Sequence, residues 1–276
     1  MLTLSSVLLQ CLNEQQRPIP GATASGFIRR EGDRCFLYTC WHVVTGFDPY
    51  FSGVPQIPPT KRHHLRISLQ DATTAGDSTR IGGLQTFDLP LYENHSDNLV
   101  PNWLQDEADV PHLEINALGF RVPAWHDAVK LELPASLRIS DIQLVDNNRI
   151  FGTTVNMVLP GDKVLVAGFP YGFSSDGMEQ PTPVVLTRFV ASTAVAGRNR
   201  QCLLESIGGA GMSGGPVYLE AGNDLLLLGV YTGLIYPDHL NQSPEKATAL
   251  GTIVDLSLHF QGHLHFSKPR MPAAPQ

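Results

Sequence analysis

Nowhere in its 276 residues does this chain carry an apolar run long enough to cross a bilayer as a helix, which takes about 20 residues. Its opening, Met-Leu-Thr-Leu-Ser-Ser-Val-Leu-Leu-Gln, is apolar but has neither the basic residues nor the small-residue cleavage site of a secretory leader. Cysteine is scarce, and the four present, at positions 11, 35, 40 and 202, show no metal-ligand spacing and no disulfide framework. Cys35 and Cys40 lie five residues apart on one apparent strand, so their side chains leave opposite faces and cannot bridge. Basic residues are outnumbered 19 to 26, giving a net charge of −7, and pair up only at Arg29-Arg30 and Lys61-Arg62, both expected as solvated faces. Nucleic acid is therefore not an expected partner. There is no phosphate-cradling glycine loop, no heptad and no repeat of solenoid period, so neither cofactor nor metal is expected. These absences predict a cytoplasmic protein with reduced cysteines, no membrane span and, lacking any appended module, a monomeric state.

What the chain does have is 25 glycines, 21 prolines and many short alternating apolar runs, the composition of strands joined by turns. An all-β fold follows. One segment reads differently: in Leu2 to Gln16 the residues Leu4, Val7, Leu8, Cys11 and Leu12 fall on one face of a short N-terminal helix, which Pro18 and Pro20 would end. His63-His64, in a proline-rich stretch, reads as solvated loop.

The most specific signal is Gly-Gly-Ala-Gly-Met-Ser-Gly-Gly-Pro-Val at 208 to 217. A serine set among glycines ahead of an apolar strand suits a nucleophile, because glycine lets a chain turn tightly enough to aim backbone amides at a developing oxyanion. The donors here would be the amides of Gly211 and Ser213. Upstream, Phe36-Leu37-Tyr38-Thr39-Cys40-Trp41-His42-Val43 runs an apolar strand into a histidine, with Cys40 and Trp41 adding bulk behind the ring.

These two motifs resemble those of the trypsin/chymotrypsin superfamily of serine peptidases, whose triad appears along the chain as His, Asp, Ser. Two aspartates stand in the right interval. Asp109 opens Asp-Val-Pro-His-Leu-Glu-Ile, follows Trp103-Leu104 and has the apolar positions of the family segment, so it is the preferred third member; Asp127, opening Asp-Ala-Val-Lys-Leu-Glu-Leu, is the alternative. Gly161 to Pro170, Thr187 to Ser192 and Leu228 to Gly233 resemble the family's opening strand of the second barrel, the strand after it and one wall of the substrate cleft.

The resemblance, which covers roughly residues 20 to 258, implies two antiparallel six-stranded β-barrels with the active site between them. One spans 1–150 and carries His42 and Asp109, the other spans 151–266 and carries Ser213, and 267–276 forms a flexible tail. It implies a serine endopeptidase acting on a protein or peptide, with an activating protein as a conceivable partner. The pocket for the residue before the scissile bond would be lined by Ile207, Thr232, Gly233 and Leu234. An apolar Ile207 at its base, with Glu205 and Glu220 directed elsewhere, predicts cleavage after small or medium apolar residues. The alternative is an inactive barrel of the same shape that binds a protein segment.

Overall fold

The computed structural model describes residues 5–47, 62–75, 78–95, 98–106, 113–115, 121–123, 127–145, 158–173, 181–193, 201–205, 209–222, 224–235, 251–255 and 266–267. The first half holds strands β1 (Val7–Leu12), β2 (Pro18–Glu31), β3 (Arg34–Thr39), β4 (His64–Ala75) and β5 (Ser78–Pro90). Shorter strands follow: β6 (Tyr92–His95), β7 (Asn98–Pro101), β8 (Trp103–Asp106), β9 (Leu113–Ile115), β10 (Arg121–Pro123) and β11 (Val129–Glu132). One five-residue helix, α1 (Trp41–Thr45), follows β3. The second half holds β12 (Lys163–Gly168), β13 (Val184–Ser192), β14 (Gln201–Leu204), β15 (Pro216–Ala221), β16 (Asp224–Ile235) and β17 (Gly251–Asp255), and β18 (Phe266–Ser267) ends the described chain. Among the described residues no helix is long and apolar enough to cross a membrane.

All pairs between the described strands are antiparallel, and β12, β13, β14, β17, β16 and β15 close into a six-stranded barrel around Val164, Val166, Val217, Leu204, Cys202 and Met212. The first half departs from the six-stranded barrel expected over 1–150. Its strands form an eight-stranded sheet in the order β18-β8-β11-β3-β2-β1-β4-β5, with β18 and β5 at the edges. Between β5 and β8 the chain pairs with itself as the β6–β7 hairpin, and among the described residues no pairing joins β5 to β18. Ser267, expected in the flexible tail, instead pairs with Gln105.

The predicted N-terminal helix is likewise a strand. Val7, Leu9 and Cys11 are buried while Leu8 and Gln10 between them are half-buried, a period of two that serves a sheet face. Local helical spacing yields to pairing on both sides, with Val7 opposite Gly26 and Leu8 opposite Ser68. His64 opens β4 opposite Leu12 and Pro90, so it too is strand and not loop.

In the first core Phe27 stands opposite Tyr38 across β2–β3, their rings stacked at 5.4 Å. Arg29, expected on a solvated face, is buried with its guanidinium carbon 5.6 Å from the Tyr38 ring centroid, and burial pulls its pKa below the ordinary value. Arg29 lies two residues beyond Phe27 on the same strand face and ends a run, Ala24 to Arg29, that is buried throughout. Glu31, next but one, accepts from both Tyr38 and Lys130.

Candidate active site

Strand β3 delivers His42. It ends at Thr39, Cys40 caps α1 in an extended conformation, and His42 falls in the helix's first turn. So short a helix needs its ends held. Gly46, at φ +80°, donates its amide to the His42 carbonyl (3.0 Å), a conformation favouring glycine. Arg62 donates to the same carbonyl (2.9 Å) and to that of Val43.

The carboxylate that meets this histidine belongs to Asp127. Its Oδ2 lies 2.7 Å from His42 Nδ1, and its Oδ1 accepts the His42 backbone amide at 3.0 Å. Register explains the meeting: β11 pairs with β3 with Val129 opposite Thr39, so stepping back along β11 to Asp127 matches stepping forward past Cys40. The preference for Asp109 is thus corrected. Asp109 itself lies outside the described residues, but the position beside Nδ1 is filled by Asp127. Asp127 is 1% exposed, and a carboxylate beside Nδ1 pairs with the tautomer that carries its proton there and leaves Nε2 free to accept one.

The serine loop is fixed through its carbonyls. That of Ala210 accepts from Tyr171 N, that of Gly211 from Ser25 Oγ (2.7 Å), that of Met212 from Gly215 N (3.0 Å) and that of Ser213 from Ser25 N (2.9 Å). In a trans peptide the N–H points opposite to the C=O. Tying down the carbonyls of Ala210 and Met212 therefore orients the amides of Gly211 and Ser213 away from those contacts. Among the described residues neither amide has an acceptor.

Glycine is required at three places here. Gly211 and Gly214 sit at φ +93° and +89°, and a Cβ on Gly211 would come within 2.5 Å of the Phe169 carbonyl. On Gly214 it would lie 2.1 Å from the Ser25 carbonyl and 2.3 Å from Thr39 Oγ1; on Gly215, 2.3 Å from the Ala167 carbonyl. The Gly214 contact also joins the two motifs, since Thr39 leads into His42 and Gly214 follows Ser213. Cys40 reinforces the junction by donating its thiol to the Tyr231 carbonyl (3.3 Å), which also accepts the Gly214 amide (2.8 Å).

The Ser213 hydroxyl donates to the Thr232 carbonyl at 3.1 Å, and no hydrogen bond joins it to His42. Thr232 and Gly233 fall in the irregular stretch of β16 where pairing with β17 slips, between Tyr231 and Leu234. Leu234 pairs with Thr252, whereas Ile207 lies outside the described residues. Of the nearby acids, Glu205 accepts the Phe189 amide (2.6 Å) and Glu220 pairs with Lys163 (2.7 Å).

Cys40, His42 and Asp127 bring a thiol, a ring nitrogen and a carboxylate oxygen within 4.8 Å of one another, donors a zinc ion could use. Here they are joined into hydrogen bonds, Asp127 to His42 and Cys40 to Tyr231. Sequence patterning missed Ser25. Its one local signal is the small-residue run Ala24-Ser25-Gly26 inside a strand, where another backbone approaches closely.

No protein-family model matches the chain, and no curated protein matches it in sequence. Two solved structures similar to it are GrC, granzyme C, and human heparin-binding protein. The first is 15% identical, over 94% of this chain and 92% of that one, with a TM-score of 0.45. The second is 14% identical, over 94% and 89%, with a TM-score of 0.47. Likeness of that degree carries no argument about chemistry.

Proposed function

We propose that this chain is a serine endopeptidase, with Ser213 as nucleophile, His42 as general base and Asp127 as the residue that orients the imidazole. One observation carries the reading: four successive loop carbonyls are tied away beside Ser213, leaving the amides of Gly211 and Ser213 as candidate oxyanion donors.

In the proposed reaction Ser213 Oγ attacks the scissile carbonyl carbon while its proton passes to His42 Nε2. The negative oxygen that forms is held by the two amides. Collapse breaks the carbon–nitrogen bond as the proton moves from His42 to the leaving amine, and water repeats the sequence on the acyl-enzyme. Asp127 keeps the tautomer and stabilises the imidazolium without taking up the proton. Each oxyanion donor is worth about 3 kcal/mol of barrier.

A second reading, an inactive barrel that binds a protein segment, is favoured by the Ser213–Thr232 hydrogen bond, which engages the hydroxyl proton with a carbonyl and not with the base. A change of side-chain rotamer reverses that, and hydrogen bonds of this kind commonly tighten only when substrate is bound. A fluorophosphonate probe separates the readings. The peptidase labels at one serine, and Ser213→Ala abolishes the label; wild-type protein that stays unlabelled while folded, before and after limited proteolysis, supports the binder.

Protein or peptide is the proposed substrate. The proposed pocket comprises Ile207, Thr232, Gly233 and Leu234, with the site built from both halves of the chain, 1–150 and 151–266.

A further inference from the structure

We infer that Ser25 is a positioning residue for the oxyanion site, an inference that rests on the peptidase reading above. Ser25 belongs to β2 and is fully buried, yet its amide and hydroxyl bond to the other half of the chain. Its amide donates to the Ser213 carbonyl (2.9 Å) and its hydroxyl to the Gly211 carbonyl (2.7 Å), while the hydroxyl oxygen accepts the Phe169 amide at 2.9 Å. Its own carbonyl accepts from Thr39 Oγ1 at 2.9 Å.

A hydroxyl has one hydrogen to give and lone pairs to accept with, and here both capacities are engaged in one direction of flow, from Phe169 through Ser25 to Gly211. The two carbonyls it holds flank the peptide that carries the Ser213 amide. Gly211 has glycine's freedom at φ +93°, so its following peptide is fixed by that bond and not by local preference. The space is built for this side chain: a Cβ on Gly168 would stand 2.7 Å from Ser25 Oγ. Ser25 touches no reacting atom in this scheme; it acts through Gly211 and Ser213.

The test is Ser25→Ala, which keeps the backbone bond to Ser213 and deletes the one to Gly211. Misplacing a reacting group by about 1 Å can cost about 100-fold. The expected result is a kcat lower by about 10- to 100-fold with KM within about twofold, and a peptide aldehyde, which mimics the tetrahedral state at Ser213, bound weaker by a similar factor. Ile67→Val, a core truncation in β4, serves as the control for lost stability and should leave kcat unchanged. Should Ser25→Ala fail to fold, Ser25→Cys keeps the side-chain length with a weaker donor and is read the same way. Wild-type protein that labels with fluorophosphonate, beside a folded Ser25 variant of equal kcat, overturns this role alone. Wild-type protein that neither labels nor turns over overturns the peptidase reading and this role with it.

Discussion

Asp127 grips His42 at two points, ring and backbone, with one carboxylate oxygen for each. Both bonds orient the residue and only the ring bond selects its tautomer. Asp127→Asn should therefore leave the fold in place and lower kcat by about 10⁴-fold, the scale expected when the imidazole takes the wrong tautomer. Asp109→Asn should change kcat little. Turnover of both variants on one peptide substrate checks this, and the reverse ranking would return the role to Asp109.

That aspartate shows where sequence stops informing. Ser213 and His42 sit in motifs whose meaning is local: glycines that permit positive φ, and a strand running into a histidine. The choice between Asp109 and Asp127 depends on which strand pairs with β3, and segment patterns do not encode pairing partners. Residues 7 to 12 mislead for the same reason, since spacing that suits a helix face is overridden by neighbours on both sides. Arg29 looks solvated by composition and is buried because it ends a stretch of β2, Ala24 to Arg29, that is covered throughout. The closed barrel of the second half was legible from its strand motifs, whereas the eight-stranded order of the first sheet depends on which strands pair, from the 14-residue β2 to the two-residue β18, and strand patterns do not encode that.

Glycine substitutions should divide by clearance. Gly214→Ala places a methyl 2.1 Å from the Ser25 carbonyl at φ +89°, and should cost more than about 3 kcal/mol or prevent folding. Gly32→Ala, also at positive φ (+59°) but with nothing within 4 Å, should cost only about 1 kcal/mol. Urea unfolding midpoints give the comparison, and equal losses would contradict the packing described around Ser213.

Thiol chemistry offers a check on burial. Cys11, Cys40 and Cys202 are buried, Cys35 is partly exposed, and none forms a disulfide. Burial also pushes the Cys202 thiol up to about 12 and raises that of Cys11, which suppresses the reactive thiolate. A chromogenic disulfide reagent should titrate one thiol per native chain, lost in Cys35→Ser, and four after denaturation. Rapid modification of Cys202 in the native state would rule this out.

Stability should respond to acid through Asp88. The two Arg66–Asp88 bonds, each 2.8 Å, hold the Asp88 carboxyl below its usual range, so its contribution is complete above about pH 4 and is lost as pH falls through the depressed folded value. The pair is partly exposed, which limits it to about 1 kcal/mol, less at high salt. Asp88→Asn should be less stable than wild type at neutral pH, with the gap closing in acid. A gap that stays constant with pH would mean that something other than the ion pair is responsible.

Specificity should follow the missing carboxylate. With Glu205 and Glu220 engaged elsewhere, a cationic side chain entering the proposed pocket finds neither acid to meet it. A peptide library should be cleaved after small or medium apolar residues, and a profile dominated by Arg or Lys would disprove it.

The carbonyls of residues 210 to 213 draw their donors from Ser25, Tyr171 and Gly215, three places far apart in the chain except for the last. The glycine-serine segment is consequently not portable. Transplanted alone into another barrel it would keep its permissive residues and lose its shape, because the instructions for that shape are written in β2 and in the turn after β12. Inheritance of the site thus requires co-inheritance of strands that carry no reactive group at all.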